Sequence, residues 1–272
     1  MGGRAAHKVG PRRHTPTRGR AGSAGPVHAV KLADQVTRVL ARRIVNGEIG
    51  GEAAPPTEQD ICEEFDVSKT TAREVIRALE ARGLVEIRHG RRMRVRPADE
   101  WNQLDPLLLE LTEDSEVVRR YLADLHDVRM LLEPEIAARA ALKATPEQLR
   151  LLREAVDEMG ELEDRPDAYL EVDIAFHRGL AAATDNVILA SVLDSVRELL
   201  RVSRQITNLT GELVEATRGH RQILDAVAAR EPETARQAMR VHLMTVTRVW
   251  VPGEADAEFQ AALGRTEDRT RR

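Results

Sequence analysis

This chain of 272 residues has a single cysteine, Cys62. One thiol builds no disulfide framework, so a reducing, cytoplasmic setting is expected. No apolar run approaches the ~20 residues of a membrane span, and the first residues lack the apolar core of a signal peptide. A membrane partner is therefore not expected. Aromatic residues are 3% of the chain, and β-branched runs are rare beyond residue 113, which leaves helix as the element expected there. Several catalytic signatures are also missing. There is no His-Glu-x-x-His, no Glu-x-x-His helix pair, no Gly-rich phosphate loop and no Gly-x-Ser-x-Gly elbow. An enzyme is not expected.

Charge is present but unevenly divided. Residues 1–97 hold 19 Lys+Arg against 11 Asp+Glu, a net of +8, whereas residues 98–272 carry a net of −12. A basic head on an acidic body suits a head that meets nucleic acid. Residues 1–27 contain six Lys/Arg, no acid and a scatter of Gly, Pro and Ala, the composition of a disordered basic tail. A helix is expected from Lys31 to Asn46, with Leu32, Val36, Val39 and Leu40 as its inner face and Gly47 ending it.

Residues 57–96 read as helix, tight turn, helix and basic β-ribbon, the outline of a winged helix-turn-helix. Thr57 caps the first helix with Asp60 three positions on, and Asp66-Val67 makes the turn. Ser68 caps the second helix, where Ala72, Val75, Ile76 and Leu79 form a buried stripe. Lys69, Arg73 and Arg77 lie on the opposite side, with Thr70 and Thr71 beside them. A stripe of this kind is often only a solvated face. Here it is cationic and carries hydroxyls at its N-terminal end, as phosphate and base contacts require. Beyond Gly83 the ribbon carries Arg88, Arg91, Arg92, Arg94 and Arg96 around His89-Gly90.

This segment resembles the DNA-binding domain of the GntR family of bacterial transcription regulators. The resemblance rests on Pro56-Thr57-Glu58, Val67-Ser68-Lys69-Thr70-Thr71-Ala72-Arg73-Glu74, Leu79 through Val85, and His89-Gly90. It implies that Gln59, Ser68, Lys69, Thr70, Thr71, Arg73 and Arg77 face DNA, with His89 and Gly90 reaching the minor groove. Three positions depart from the family pattern. Gln59 and Lys69 stand where arginines are usual, and Arg92 replaces a wing glycine. Lysine cannot read guanine bidentately, so these changes bear on operator sequence.

Residues 98–113 read as a linker with an apolar anchor, Leu107 to Leu109. Helices are expected near 114–142, 146–162, 167–183, 186–207, 210–229 and 232–250, enough for an antiparallel six-helix bundle. Thr145-Pro146-Glu147-Gln148 is a capping box, and Pro134 should kink the first of these helices. The expected fold is mainly α, a winged helix-turn-helix with a small β-wing followed by an all-α bundle. The expected boundaries are a tail 1–27, a head 28–97, a linker 98–113, a bundle 114–251 and a flexible tail 252–272.

Four polar residues fall on apolar helix faces. His177 shares a face with Leu170, Ile174 and Ala181, and Asp173 adjoins it one turn away; His220 and His242 lie in line with Leu224 and Leu243 respectively. Any one of these histidines reads as a core residue bonded to a backbone carbonyl. Together they need partners that a divalent cation would also supply, and spacing alone leaves both readings open.

The segments DIAFHRGL, GHRQILDAV and AMRVHL, with Asn186 between them, resemble the ligand-binding FCD domain of the FadR subfamily within the GntR family. That resemblance implies that Asp173, His177, His220 and His242 hold a divalent metal (zinc, nickel or manganese). It also implies a small carboxylate effector, with Arg129 and Asn186 as effector-binding residues, and a homodimer on a pseudo-palindromic double-stranded DNA operator. Arg129 has a second reading, an i,i+4 salt bridge to Glu133, and the sequence does not choose between them. An effector-controlled regulator, acting in most cases as a repressor, accounts for both halves. A purely architectural DNA-binding protein would leave the inward polar cluster without a use.

Overall fold

A computed structural model of the chain describes residues 26–50, 54–87, 93–196, 199, 201–202 and 213–246. The basic tail up to residue 25, the wing tip with Arg88, His89, Gly90, Arg91 and Arg92, and the tail 252–272 lie outside the described residues.

Helix α1, Pro26–Val45, starts earlier than expected, with proline at its first position where the missing N–H costs no helix bond. Its buried stripe is Ala33, Val36, Leu40, Ala41 and Ile44, together with Thr37, whose hydroxyl donates to Ala33 O at 2.8 Å. Leu32 and Val39, expected on this inner face, are exposed. At 100° per residue they fall on the flanks of the 33, 36, 37, 40, 44 series, so the stripe is shifted by one position.

Helix α2, Glu58–Phe65, opens on a reciprocal capping box. Asp60 N donates to Thr57 Oγ1 at 3.2 Å, and Thr57 N donates to Asp60 Oδ2 at 2.8 Å. Asp66, at φ 50, closes it in the left-handed region that Asp tolerates, and directs the chain into helix α3, Lys69–Ala81. Gly83, at φ 75, ends α3 and leads to β1, Val85–Glu86, antiparallel to β2, Arg94–Val95, with Val85 opposite Val95. Ile61, Ala72, Val75, Leu79 and Leu84 seal the core beneath α1.

The stretch read as a linker is folded onto this head. A short 3-10 turn, Ala98–Glu100, precedes helix α4, Pro106–Leu111, and Leu107 and Leu108 enter the head core. Arg38 pairs with Glu110 at 2.7 Å, Arg42 pairs with Glu113, and Asn46 Nδ2 donates to Leu111 O at 2.9 Å. Gly83 permits the approach: a Cβ there would stand 3.2 Å from Glu100 O.

Among the described residues the bundle includes α5 (Ser115–Lys143), α6 (Pro146–Glu161), α7 (Pro166–Ala182), α8 (Val187–Ser195), α9 (Leu213–Ala228) and α10 (Pro232–Val246). α5 runs through Pro134 without a break. Helix α8 ends at Ser195, where Val196 N turns back to Leu193 O at 3.2 Å, and residues 199, 201 and 202 are again helical. Ala137, Ala138, Ala140 and Ala141 are buried on α5, and such small side chains let α10 lie close along it. Tyr169, Phe176, Leu180, Met159 and Ile136 fill the middle. Arg230, at φ 63, donates from Nη2 to Ala144 O at 2.6 Å and so caps the end of α5. Among the described residues, no helix is long and apolar enough to cross a membrane.

Candidate metal centre and nucleic-acid interface

The head presents α3 outward. Lys69, Arg73 and Arg77 follow one another at helical spacing, and these three, with Gln59, Ser68 and Thr70, are exposed. Ser68 Oγ also accepts from Thr71 N at 3.2 Å, so the capping hydroxyl stands at the helix end where backbone N–H groups favour an anion. Arg73 Nε donates to Glu58 Oε2 at 2.9 Å, which braces the guanidinium against α2 and holds it above its ordinary pKa through that bond and the Glu58 charge. Thr71, expected beside Lys69, Arg73 and Arg77, is buried instead, and its hydroxyl lies 3.0 Å from Ser68 Oγ beneath the cap. Arg94 and Arg96 of the ribbon have internal partners in Glu86 and Glu100.

In the bundle, α7 supplies Asp173 and His177 one turn apart, α9 supplies His220 and α10 supplies His242. All four are buried, and they offer one ligand atom each within 4.8 Å of one another. His220 Nε2 is 3.1 Å from Asp173 Oδ1 and 3.3 Å from His177 Nε2, and His177 Nε2 is 3.9 Å from Asp173 Oδ1. Ligand atoms ~2.1 Å from one octahedral ion stand ~3.0 Å apart at adjacent positions, and four protein ligands leave two such positions open. The cluster therefore has the donor chemistry and roughly the separations that a divalent cation takes.

Groups behind the rings orient them. Tyr169 Oη is 3.4 Å from His220 Nδ1 and 3.2 Å from Thr217 Oγ1. Glu133 Oε2 is 2.6 Å from His177 Nδ1, and Glu133 Oε1 accepts from Arg129 Nε at 2.6 Å. Burial pushes the Glu133 carboxyl up, but the Arg129 charge and the bonds from Arg129 and His177 outweigh it and hold it well below the usual range. Gly219 gives His242 its room, since a Cβ at that position would lie 2.6 Å from His242 Nδ1.

Of the two effector candidates, Arg129 is buried beside the cluster and forms the expected salt bridge to Glu133. Its Nη2 is buried without a hydrogen-bond partner among the described residues. Asn186 is exposed and caps α8, its Oδ1 accepting from Ile188 N at 3.1 Å and from Leu189 N at 3.0 Å. That side-chain oxygen is engaged at the start of α8. Sequence reasoning missed Glu133 as a partner of His177, Tyr169 as a partner of His220, and the space at Gly219. Each is a contact between helices, and only Glu133 carried a signal, as the i+4 neighbour of Arg129.

With the geometry in place, the chain can be set beside known proteins. Residues 32–95 match the family model described as bacterial regulatory proteins, gntR family, and residues 124–245 match the model of the FCD domain. The galactonate operon transcriptional repressor of Escherichia coli K12 is 29% identical over 217 residues, covering 79% of this chain and 95% of the relative. The HTH-type transcriptional repressor NanR of Klebsiella aerogenes is 29% identical over 234 residues, covering 83% and 87% respectively. A solved structure of Lar, described as controlling the expression of the Listeria monocytogenes agr system, superimposes with a TM-score of 0.55 at 19% identity. It covers 86% of this chain and 97% of its own, and the likeness is one of fold.

Proposed function

The chain belongs to the gntR family of bacterial regulatory proteins and carries an FCD domain, and on that premise we propose that it is a repressor controlled by a small organic acid bound at a divalent metal in its bundle. It is a DNA-binding transcription regulator. The curated relatives at 29% identity carry repressor names, which supports the direction of control. One of them is named for a galactonate operon, and galactonate is a carboxylate, the effector class proposed here.

The observation that carries the reading is the convergence of Asp173, His177, His220 and His242 from three helices onto one buried point. Zinc, nickel and manganese all accept such a set. A bound ion supplies a Lewis-acidic centre with open positions for a carboxylate. The residues of the chain do the rest: Asp173 and the three imidazoles hold the ion, and Arg129 offers a buried guanidinium nitrogen to the same anion. The exposed set on α3, with His89 and Gly90 of the wing, carries operator contact in a cytoplasmic homodimer on a pseudo-palindromic site. The effector lowers operator affinity only if it binds the released state more tightly than the DNA-bound one.

The test uses purified protein and a His177→Ala, His220→Ala double variant. Elemental analysis should find about one divalent ion per chain in the parent and a loss in the variant. A thermal-shift screen of small carboxylates, with and without metal, should find ligands that also weaken a gel-shift complex. A variant that keeps its full metal content would show the site to be misplaced. One that loses metal yet still responds to carboxylate would reduce the ion to a structural part.

A further inference from the structure

We propose that Glu133 is the positioning residue of the metal centre. One oxygen fixes which ring nitrogen of His177 faces the cluster, and the other ties that ligand to Arg129. The inference rests on the metal reading given above. Glu133 stands on α5, and its Oε1 accepts from Arg129 Nε at 2.6 Å along its own helix. Its Oε2 stands 2.6 Å from His177 Nδ1 across to α7, too close for two lone pairs to face each other without a proton between them. All three side chains are buried, so neither contact is screened by water.

The consequence for His177 is tautomeric. An imidazole whose Nδ1 faces a carboxylate keeps its proton there and presents the lone pair on Nε2. Nε2 is the nitrogen 3.3 Å from His220 Nε2 and 3.9 Å from Asp173 Oδ1, on the ligand side. A carboxylate behind a ligating histidine also makes the ring a better donor. Arg129 then has a defined share in the arrangement. It neutralises Glu133 through Nε, while Nη2 stays buried and unpartnered among the described residues. An anion taken up by Nη2 draws on the same guanidinium that balances the carboxylate behind His177. Metal and anion are thereby linked through one side chain.

A buried Arg–Glu pair is a weak source of stability, and apolar residues of similar volume often replace one without loss. That separates a positioning role from a structural one. Cobalt(II) is the probe, because its visible bands report the ligand set, and two variants are compared with the parent. Glu133→Gln leaves one acceptor oxygen for two donors. Arg129→Met with Glu133→Leu removes both charges and the acceptor, and should fold as judged by circular dichroism and melting.

Both variants should bind cobalt about 10- to 100-fold more weakly, the range typical for loss of such a partner, with altered bands. Metal-free protein should also lose the Nδ1–H tautomer signature of His177 in nitrogen-15 spectra. Unchanged cobalt affinity and bands in a folded double variant would overturn the assignment and leave the metal reading standing. Parent protein that binds no cobalt would overturn both.

Discussion

Arg73 is the side chain on which the proposed operator contact is most directly tested. Its bond to Glu58 ties α3 to α2 and leaves the side chain 62% exposed. Arg73→Ala should weaken operator binding about tenfold to hundredfold and flatten its salt dependence, with the fold unchanged. Gel-shift titrations at several salt concentrations check this, and unaltered affinity would remove Arg73 from the interface. Gly219 makes a sharper case in the bundle. Alanine is the better helix former by about 1 kcal/mol, yet its Cβ would meet His242 Nδ1 at 2.6 Å. The clash with a buried ring costs about 1–3 kcal/mol, so Gly219→Ala should lower the metal-free melting temperature and reduce metal affinity as well. A variant that melts higher and binds metal as the parent does would show that His242 has room to yield.

Among the elements, the join between head and bundle is the most exacting. Arg38–Glu110, Arg42–Glu113 and Asn46 bind α4 and the residues after it to α1, so the head extends to about residue 113, directly before α5. Tyr121 of α5 reaches back and donates its hydroxyl to Gln103 O. Burial, and then the charge of Asp105, push its phenol up to about 12. An unfolded tyrosine ionises near ~10. The folded state thus holds this proton more tightly, so the contribution is fully present below pH ~10 and is lost as pH rises through about 12. Tyr121→Phe should remove that alkaline fall in stability. Denaturant titrations of both proteins from pH 9 to 12 measure it, and parallel curves would mean that the hydroxyl is solvated at the join.

For the whole molecule, the charge division sets the geometry of function. Residues 1–97 carry a net of +8, and residues 98–113, which pack on the head, add five acids and no base, so the head to residue 113 has a net of +3 and the rest of the chain −7, a division that favours approach to DNA by the head. A two-fold operator calls for two heads, so light scattering should give a homodimer, and footprinting should give a pseudo-palindrome. A monomer that persisted with DNA present would contradict this. Metal should act on the body as a ligand of the folded state alone. At 100 times its Kd it should add about 2.7 kcal/mol of stability, which a chelator then removes. Acid should release the ion as well, because a protonated imidazole has no lone pair to give. Calorimetry with and without chelator, at neutral and mildly acid pH, checks both statements.

Much of this protein is determined by its sequence alone, for a physical reason. The caps at Thr57, Ser68 and Thr145 are hydrogen bonds within three residues, and the i,i+4 placement of Asp173 and His177 is a property of any helix. Apolar stripes at helical spacing turned His177, His220 and His242 inward before any packing was known. Interactions across elements needed the tertiary structure. The burial of Thr71 belongs to that level, as does the packing of residues 98–113 on the head through Gly83, Leu107 and Asn46. The role of Glu133 lies at the same level. Its helical neighbour Arg129 was legible from spacing, but the 2.6 Å approach of its second oxygen to His177 exists only because α7 packs against α5. Local hydrogen bonding and periodicity are written in short stretches of chain, whereas which ring nitrogen meets which carboxylate is settled by how the helices close on one another.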